Sequence, residues 1–498
     1  MPNSLRYRYI CFCLVLLLLG CATTRIDERV ADFERPAEYT RFFEVLDRSV
    51  DAADVRNAAS FAVSGFPYLR TNRFLTGLKT NLDTDARREQ WIRWLQRLDL
   101  EARRKEIQNL PSAAVRDLAA ELGAELDRQI LMARVTDYSE KLLNHDRRRR
   151  DFFATLQAAV TNRDEYRTAY RVFGLYPFTS MPVAYVTHRV QNEFKSWHQT
   201  PLDRLDLRGD LTAYGPARSA AFSQAGAGTI LKRSRQNDLD VSIPSAAEQE
   251  RLAAMFAPLI HQDQVAPYDQ IGAVVWKDGH VRVDPSQPTV YFYVTHAHFK
   301  GEPILQLNYV FWYSARDGSD SPWIERGPLD GMTVRTSLDH DGLPFMVDIM
   351  NTCGCYHFFV PDYRRIKRVI PAVGEIDAFA PRGMPESFPR ERLSIYVNSG
   401  WHQVVHLGSE SKPADYLPYR LEPYDRLEML PHSAGGYESI FDSRGIAKDS
   451  ERIEYLIFFP MGIPDVGSMR QRGHHAVKLV GRSDFEDPDL FDKHFEYH

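Results

Sequence analysis

The sequence predicts an α+β protein in which a helical N-terminal region precedes an antiparallel β-rich domain, either a sandwich or an open barrel. Up to about residue 200, apolar residues such as Val115, Leu118 and Leu122 recur at spacings of three and four, the period of an amphipathic helix. Beyond about residue 264 the period becomes two, and glycine-containing turns separate the apolar runs, as in β-hairpins. The chain has 498 residues, 44% apolar and 26% charged, which is typical of a globular protein with several domains.

We divide the chain into five segments by composition and period. Glycine, proline and small residues accumulate between Pro201 and Pro244, which favours a connection between two folded parts. The predicted segments are a signal peptide (1–20), a tether (21–38), a helical region (39–200), a linker or extended loop (201–244) and the β-rich domain (245–498).

The first residues have the pattern of an export signal. Arg6 and Arg8 precede an unbroken apolar run from Ile10 to Leu19, which is too short to span a bilayer comfortably. The run ends in Leu18-Leu19-Gly20-Cys21, which resembles the lipobox of bacterial lipoproteins. The alternative is an uncleaved signal anchor, or an ordinary secretory signal with a chance cysteine.

The lipobox resemblance implies a location for the protein. In that class the cysteine, here Cys21, is lipidated and the chain is cut before it, so the mature protein is anchored to a membrane through acyl chains. Ala22 follows it, where lipoproteins retained in the inner membrane often carry aspartate. The resemblance therefore implies an outer-membrane lipoprotein that faces the periplasm.

The helical region begins with two apolar stripes. Trp91, Trp94 and Leu95 belong to one stripe, and a second runs from Val115 to Ile130. Pro111-Ser112 lies between them and supplies a helix breaker followed by a candidate N-cap. We therefore expect several helices in this region, one of which begins near residue 112.

Hairpins account for most of the predicted β-rich domain. Asp278-Gly279 favours a type I′ turn because both of its residues tolerate positive φ. Successive hairpins predict an antiparallel sheet. The paired runs are Val274–Trp276 with Val281–Val283, Val290–Phe299 with Ile304–Tyr313, Val334–Leu338 with Phe345–Met350, and Leu393–Val397 with Val404–Leu407.

The strongest candidate site is the block Cys353-Gly354-Cys355-Tyr356-His357. On a strand, residues two apart share a face, so both thiols and the imidazole of His357 would point the same way. Such a set suits zinc or another transition metal, provided that Gly354 lets the strand kink. The alternatives are a strained and easily reduced disulfide or redox pair, and two inert buried thiols. The other cysteines lie in the first 21 residues.

A second candidate is the pair His296 and His298, which alternation places on one face of a strand. Two imidazoles on one face could form half of a metal site and could join the cysteines. Thirteen of the sixteen histidines lie at or after His261, so the β-rich domain is where we expect a metal.

Composition and missing motifs exclude several classes of function. The net charge of −5 argues against nucleic-acid binding, which needs a basic surface. The nucleophile elbow, the Walker loop and the zincin helix are absent from the sequence. We expect a membrane-anchored lipoprotein with a metal or thiol site, where a metal could activate water for hydrolysis. The alternative is a non-enzymatic envelope protein that binds a protein or cell-wall partner.

Overall fold

The computed structural model describes residues 36–218, 220–411, 415–432 and 435–498. The predicted signal peptide, Cys21 and most of the tether lie outside these residues. The helices are α1 (Ala37–Ala52), α2 (Arg73–Leu78), α3 (Asp85–Asn109), α4 (Ser112–Leu122), α5 (Arg128–Asp146), α6 (Phe152–Ala159), α7 (Thr168–Phe173), α8 (Tyr176–Gln199), α9 (Gln224–Ser234), α10 (Ala246–Phe256), α11 (Tyr455–Phe458) and α12 (Leu490–His494).

The strands are concentrated after residue 200, as predicted. They are β1 (Phe61–Val63), β2 (Phe66–Thr71), β3 (Asp210–Pro216), β4 (Leu259–Gln264), β5 (Ile271–Lys277), β6 (His280–Asp284), β7 (Thr289–Phe299), β8 (Glu302–Arg316), β9 (Gly327–Leu338), β10 (Pro344–Asn351), β11 (Phe358–Pro361), β12 (Ile366–Val369), β13 (Arg392–Val397), β14 (Val404–Glu410), β15 (Leu417–Pro423), β16 (Leu430–Pro431), β17 (Tyr437–Glu438) and β18 (Phe495–Tyr497).

The N-terminal helices α1 to α6 enclose one apolar core. Helix α4 begins at Ser112 after Pro111, where the sequence predicts a helix start. The stripe from Val115 to Ile130 belongs to two helices, because Gly123 takes a left-handed φ of 61° and ends α4. The region also contains the hairpin β1–β2, for which the sequence analysis gave no prediction.

The large sheet confirms the α+β class but is mixed, so the prediction of a purely antiparallel domain is wrong. Its twelve strands follow the order β11-β10-β9-β8-β7-β15-β3-β4-β13-β14, with β5 and β6 attached through β8. The predicted hairpins β5–β6, β7–β8, β9–β10 and β13–β14 are antiparallel pairs. However, β15 lies parallel to both β7 and β3, and β13 lies parallel to β4. These partners are far apart in sequence, and hairpin signals report only neighbouring strands.

The segment Pro201–Pro244 differs from the predicted linker or extended loop. It contains β3, an inner strand of the large sheet, and α9, whose Ile230 and Leu231 are buried in the core of that sheet. Further along, Leu239 and Val241 are buried in the core of the helical region, so the segment packs against both parts of the protein.

Buried polar contacts join the helical region to the β-rich body. The Lys105 ammonium group in α3 donates a hydrogen bond to the carboxylate of Glu428, and both side chains are almost fully buried. His474 Nε2 lies 2.7 Å from the carbonyl oxygen of Ala58, more than 400 residues earlier in the chain. Among the helices of the described ranges, none is long and apolar enough to cross a membrane.

Candidate functional site

The two cysteines of the described residues lie in a tight turn between β10 and β11. The Asn351 N–H donates to the Cys355 carbonyl over 3.0 Å, and the Gly354 N–H donates to the Asn351 carbonyl over 2.8 Å. Gly354 has a φ of 91°, and a Cβ there would lie 2.5 Å from the carbonyl oxygen of Ala476. Only glycine fits this conformation and this close approach without strain. The expected strand placement of Cys353, Cys355 and His357 is therefore wrong, because the block turns.

The turn brings the two thiols together. The Cys355 N–H donates a hydrogen bond to Cys353 Sγ over 3.4 Å. Both cysteines are free thiols in the structure. Cys353 is 4% exposed, whereas Cys355 is half-buried, so a reagent in solution would meet Cys355 first.

The surroundings separate the acidities of the two thiols. Burial opposes ionisation of Cys353, yet the hydrogen bonds from Cys355 and the charge of Arg316 hold the pKa of the Cys353 thiol below its usual value. The hydrogen bond to Cys353, together with burial, raises the pKa of Cys355. Cys353 is therefore the thiol that ionises first, and the thiolate is the reactive form of cysteine.

Arg316 is the fixed cation behind the pair. Its guanidinium group binds both carboxylate oxygens of Asp330, over 2.9 and 3.0 Å, and Glu325 over 2.6 Å. The guanidinium is almost fully buried, so its charge acts on the thiol through protein with little screening by water.

His402 extends this network away from the thiols. Its ring lies between the carboxylates of Asp330, over 2.8 Å, and Asp269, over 3.2 Å. It also stacks on Tyr313 with ring centroids 3.9 Å apart. Burial alone would lower the pKa of His402, but the two carboxylates outweigh it and raise that pKa above its usual value. The ring therefore favours the cationic form.

A buried carboxyl group on the other side of the thiols keeps its proton. Glu454 precedes α11 and is 4% exposed. Burial, helped by the negative charges of Glu325 and Cys353, raises the pKa of Glu454 to about 8. At neutral pH this group can donate a proton to a neighbouring base, which is the role of a general acid.

Aromatic side chains cover the turn. From α8, Phe194 packs on Tyr356 and Trp401 with ring centroids 5.5 and 5.8 Å away, and Trp197 meets Trp401 at 6.0 Å. Tyr356 directly follows Cys355 and donates its hydroxyl hydrogen to Glu325. This cover limits access of water to the thiols and strengthens the electrostatic interactions beneath it.

His357 does not share the thiol site. Its Nε2 lies 2.9 Å from Asp348 Oδ2, and Arg335 binds both oxygens of the same carboxylate over 2.9 and 2.6 Å. Burial lowers the pKa of His357 even though Asp348 opposes that shift. The ring completes a buried ion pair between neighbouring strands.

His296 and His298 share a face of β7, as predicted, but they pack against the helical region. Both rings contact Phe74 of α2, with centroids 5.1 and 5.6 Å away. His296 Nε2 lies 2.7 Å from the Ser242 carbonyl, and His298 Nδ1 lies 2.7 Å from Asp489 Oδ1. Burial lowers the pKa of His296 to about 4. These side chains join the helices to the sheet.

The expected metal ligands do not converge. In residues 36–218, 220–411, 415–432 and 435–498, no three His, Cys, Asp or Glu side chains are grouped so that they could hold a metal ion. The thiols form a pair of their own, while the three candidate histidines each bind another protein group. Cys21, the predicted lipidation site, lies outside the described residues.

Sequence reasoning missed Arg316, Glu325, Asp330, His402 and Glu454. A buried charge on a strand gives no periodic signal of its own. Comparisons with protein-family models, curated proteins and solved structures found no significant match to this chain.

Proposed function

We propose that the protein is an outer-membrane lipoprotein facing the periplasm whose Cys353-Gly354-Cys355 turn exchanges thiols and disulfides with a substrate. One observation carries the redox part of this proposal: a turn that only glycine allows holds the two cysteines together, with the Cys355 N–H bonded to Cys353 Sγ, and the described chain contains no group of three metal ligands. A close dithiol without further ligands favours redox chemistry over metal binding.

The asymmetry of the pair supports one direction of exchange. In the oxidised centre, a substrate thiolate attacks Sγ of the more exposed Cys355. The Cys353–Cys355 bond breaks, and Cys353 leaves as a thiolate beside Arg316. A second substrate thiolate attacks the substrate sulfur of the mixed disulfide, and Cys355 leaves. The substrate dithiol thereby becomes a disulfide and gives two electrons to the centre. Its two protons go to water when its thiols ionise; Cys355 takes up one proton, and Cys353 remains a thiolate.

Two groups of the site assist these steps. The charge of Arg316 stabilises the departing Cys353 thiolate, and a leaving thiol of lower pKa departs faster. Glu454, with its pKa of about 8, supplies a proton to the departing Cys355. Stabilising the reduced form makes a disulfide a stronger oxidant. We therefore expect a potential above that of the glutaredoxins, which is about −200 to −230 mV.

Equilibration in glutathione redox buffers, followed by acid quenching, alkylation and mass spectrometry, tests the redox part. We expect an intramolecular Cys353–Cys355 disulfide and thiols that react with alkylating reagents in the reduced folded protein. The single variants Cys353→Ser and Cys355→Ser are matched controls that should form only mixed disulfides with glutathione. Thiols that react only after unfolding would contradict the proposal. Thiols that react only after a chelator is added would indicate a metal site instead.

The anchor is tested separately. Cys21→Ala should abolish the incorporation of labelled fatty acid into the protein. Cys13→Ala is a matched control, because it removes a cysteine from the apolar run and leaves the lipobox intact. A Cys21→Ala protein that still incorporates the acyl label would refute lipidation at this position.

A further inference from the structure

Half of the exposed large apolar side chains of the described chain lie in two short segments. Of twenty such side chains, seven lie between Val172 and Val186 and three between Ile453 and Ile457. Phe173 is 79% exposed, the highest value in the two segments. Concentrated exposed apolar surface of this kind marks an interaction site.

The two segments form one continuous surface. Tyr170 packs on Phe459 with ring centroids 6.4 Å apart, and the Arg167 N–H donates to the Gly462 carbonyl over 2.6 Å. Helix α7 therefore packs beside the residues that follow the short helix α11. We call this surface the α8 face.

Helix α8 has one buried side and one exposed apolar side. Val183 and Ala184 pack on the small cluster around Met461 and Val480. Phe178, Met181 and Tyr185 are spaced by three and four residues and are 71%, 67% and 72% exposed. That spacing places them on one side of the helix. Between Phe178 and Tyr185 the helix rises about 10 Å at 1.5 Å per residue.

Charge indicates a lipid surface as the occupant. No charged residue occurs from Val172 to Thr187, and exposed Arg167, Arg189 and Lys195 flank this interval together with exposed Glu193, so that cations outnumber anions there. An uncharged apolar stretch bordered by cations is the pattern of a helix lying in a membrane interface, where cations meet anionic headgroups. Tyr185 suits the same boundary, because tyrosine is enriched at headgroup level.

The proposed anchor would hold this face close to a bilayer. Pro36, the first described residue, follows Cys21 by fifteen positions, and an extended chain of that length spans at most about 54 Å. Tethering at such a distance raises the effective concentration of lipid at the protein surface. A weak apolar contact would then be occupied most of the time.

We propose that the α8 face inserts its apolar side chains into the headgroup region of the membrane that carries the anchor. This inference rests on the proposed lipid anchor, which brings the protein to a membrane. The α8 face itself binds lipid without acyl chains. The thiol turn lies under the C-terminal half of the same helix, through Phe194 and Trp197.

Co-sedimentation of the unlipidated Cys21→Ala protein with vesicles of phosphatidylethanolamine and phosphatidylglycerol (3:1) tests this inference. We expect binding, and at least a tenfold loss of binding for Phe173→Glu/Phe178→Glu. Ile130→Glu is the control: Ile130 is 40% exposed near the N-terminus of α5, in the helical region, so binding should be unchanged. Circular dichroism and the thermal midpoint check that each variant is folded.

Three results would overturn the inference. The first is absence of vesicle binding by the unlipidated parent, and the second is equal binding by the parent and the double glutamate variant. The third is a parent that forms dimers without binding vesicles while the variant is monomeric, because the face would then join two copies of the chain. Failure of acyl labelling at Cys21 would refute the anchor alone, since this assay does not depend on it.

Discussion

Replacing His402 by glutamine tests whether the buried network behind the thiols is held together by a protonated imidazole. The ring lies between Asp269 and Asp330, and both contacts are buried. Because these carboxylates raise the pKa of His402, the folded protein binds a proton more tightly than the unfolded chain, whose histidine pKa is about 6.5. The resulting stabilisation is complete below pH 6.5 and is lost as the pH rises through the native pKa.

The magnitude follows from the contacts that glutamine would lose. A hydrogen bond to a charged group contributes about 1.5–3 kcal/mol, and the variant loses two, together with the stacking on Tyr313. The other hydrogen bonds to the two carboxylates reduce the loss of stability. Asp330 keeps both hydrogen bonds from Arg316, and Asp269 keeps the Gly400 N–H over 2.6 Å. We expect His402→Gln to lower the free energy of unfolding by about 3 kcal/mol at pH 6.

Urea unfolding of the parent and the variant at pH 6 and pH 8.5, followed by tryptophan fluorescence, measures this difference. The difference in the free energy of unfolding between the parent and the variant should be larger at pH 6 than at pH 8.5. His280→Gln is the matched control, because the His280 side chain is 53% exposed in its pair with Asp449, and such pairs contribute about 0–1 kcal/mol. A difference below 1 kcal/mol at pH 6, or a difference that increases with pH, would refute stabilisation by a protonated His402.

Two further substitutions test the turn and the interface between helices and sheet. Gly354→Ala should lower stability by about 1–3 kcal/mol in thermal unfolding, and by more than Gly374→Ala, since Gly374 also has a positive φ but has no atom within 4 Å of an added Cβ. Equal losses of stability in the two variants would mean that the approach of an added Cβ at Gly354 to the Ala476 carbonyl does not destabilise the protein. Lys105→Met should cost about 3–5 kcal/mol in urea unfolding because it leaves Glu428 without one of its buried partners. Lys141→Met, in an exposed pair, should have no measurable effect, and a similar loss in both variants would contradict a specific role for Lys105.

Local signals in the sequence identified local structure well. Asp278-Gly279 marks the β5–β6 turn, where both residues take positive φ, 53° and 75°, and Pro111-Ser112 marks the start of α4. The parallel pairing of β15 with β7 and β3 could not be predicted in this way, because it joins strands separated by more than a hundred residues. The side chains that stabilise such pairings look like those of any other buried strand.

The candidate site, too, could be predicted only where neighbouring residues in the sequence form it. The cysteine spacing correctly drew attention to residues 353 and 355, but the strand geometry assumed for them was replaced by a turn at Gly354. Strand alternation grouped His357 with the cysteines and placed His296 and His298 on one face as half of a metal site. In the structure each of the three binds a different protein group. Arg316 and Glu454 reach the thiols from positions that no spacing rule connects to them.

The contact between Ala58 and His474 has a consequence for biosynthesis. The helical region is translated first, yet it reaches its final packing only after residue 474 has been delivered. Until then, the Ala58 carbonyl group beside β1 lacks its bond to His474. This part of the chain stays accessible to water and proteases and can associate with other chains. A chain that ends before this residue lacks the bond to Ala58, although every residue of the apolar core of the helical region has then been made. Contacts between residues so distant in sequence form late, because closing a long loop slows folding.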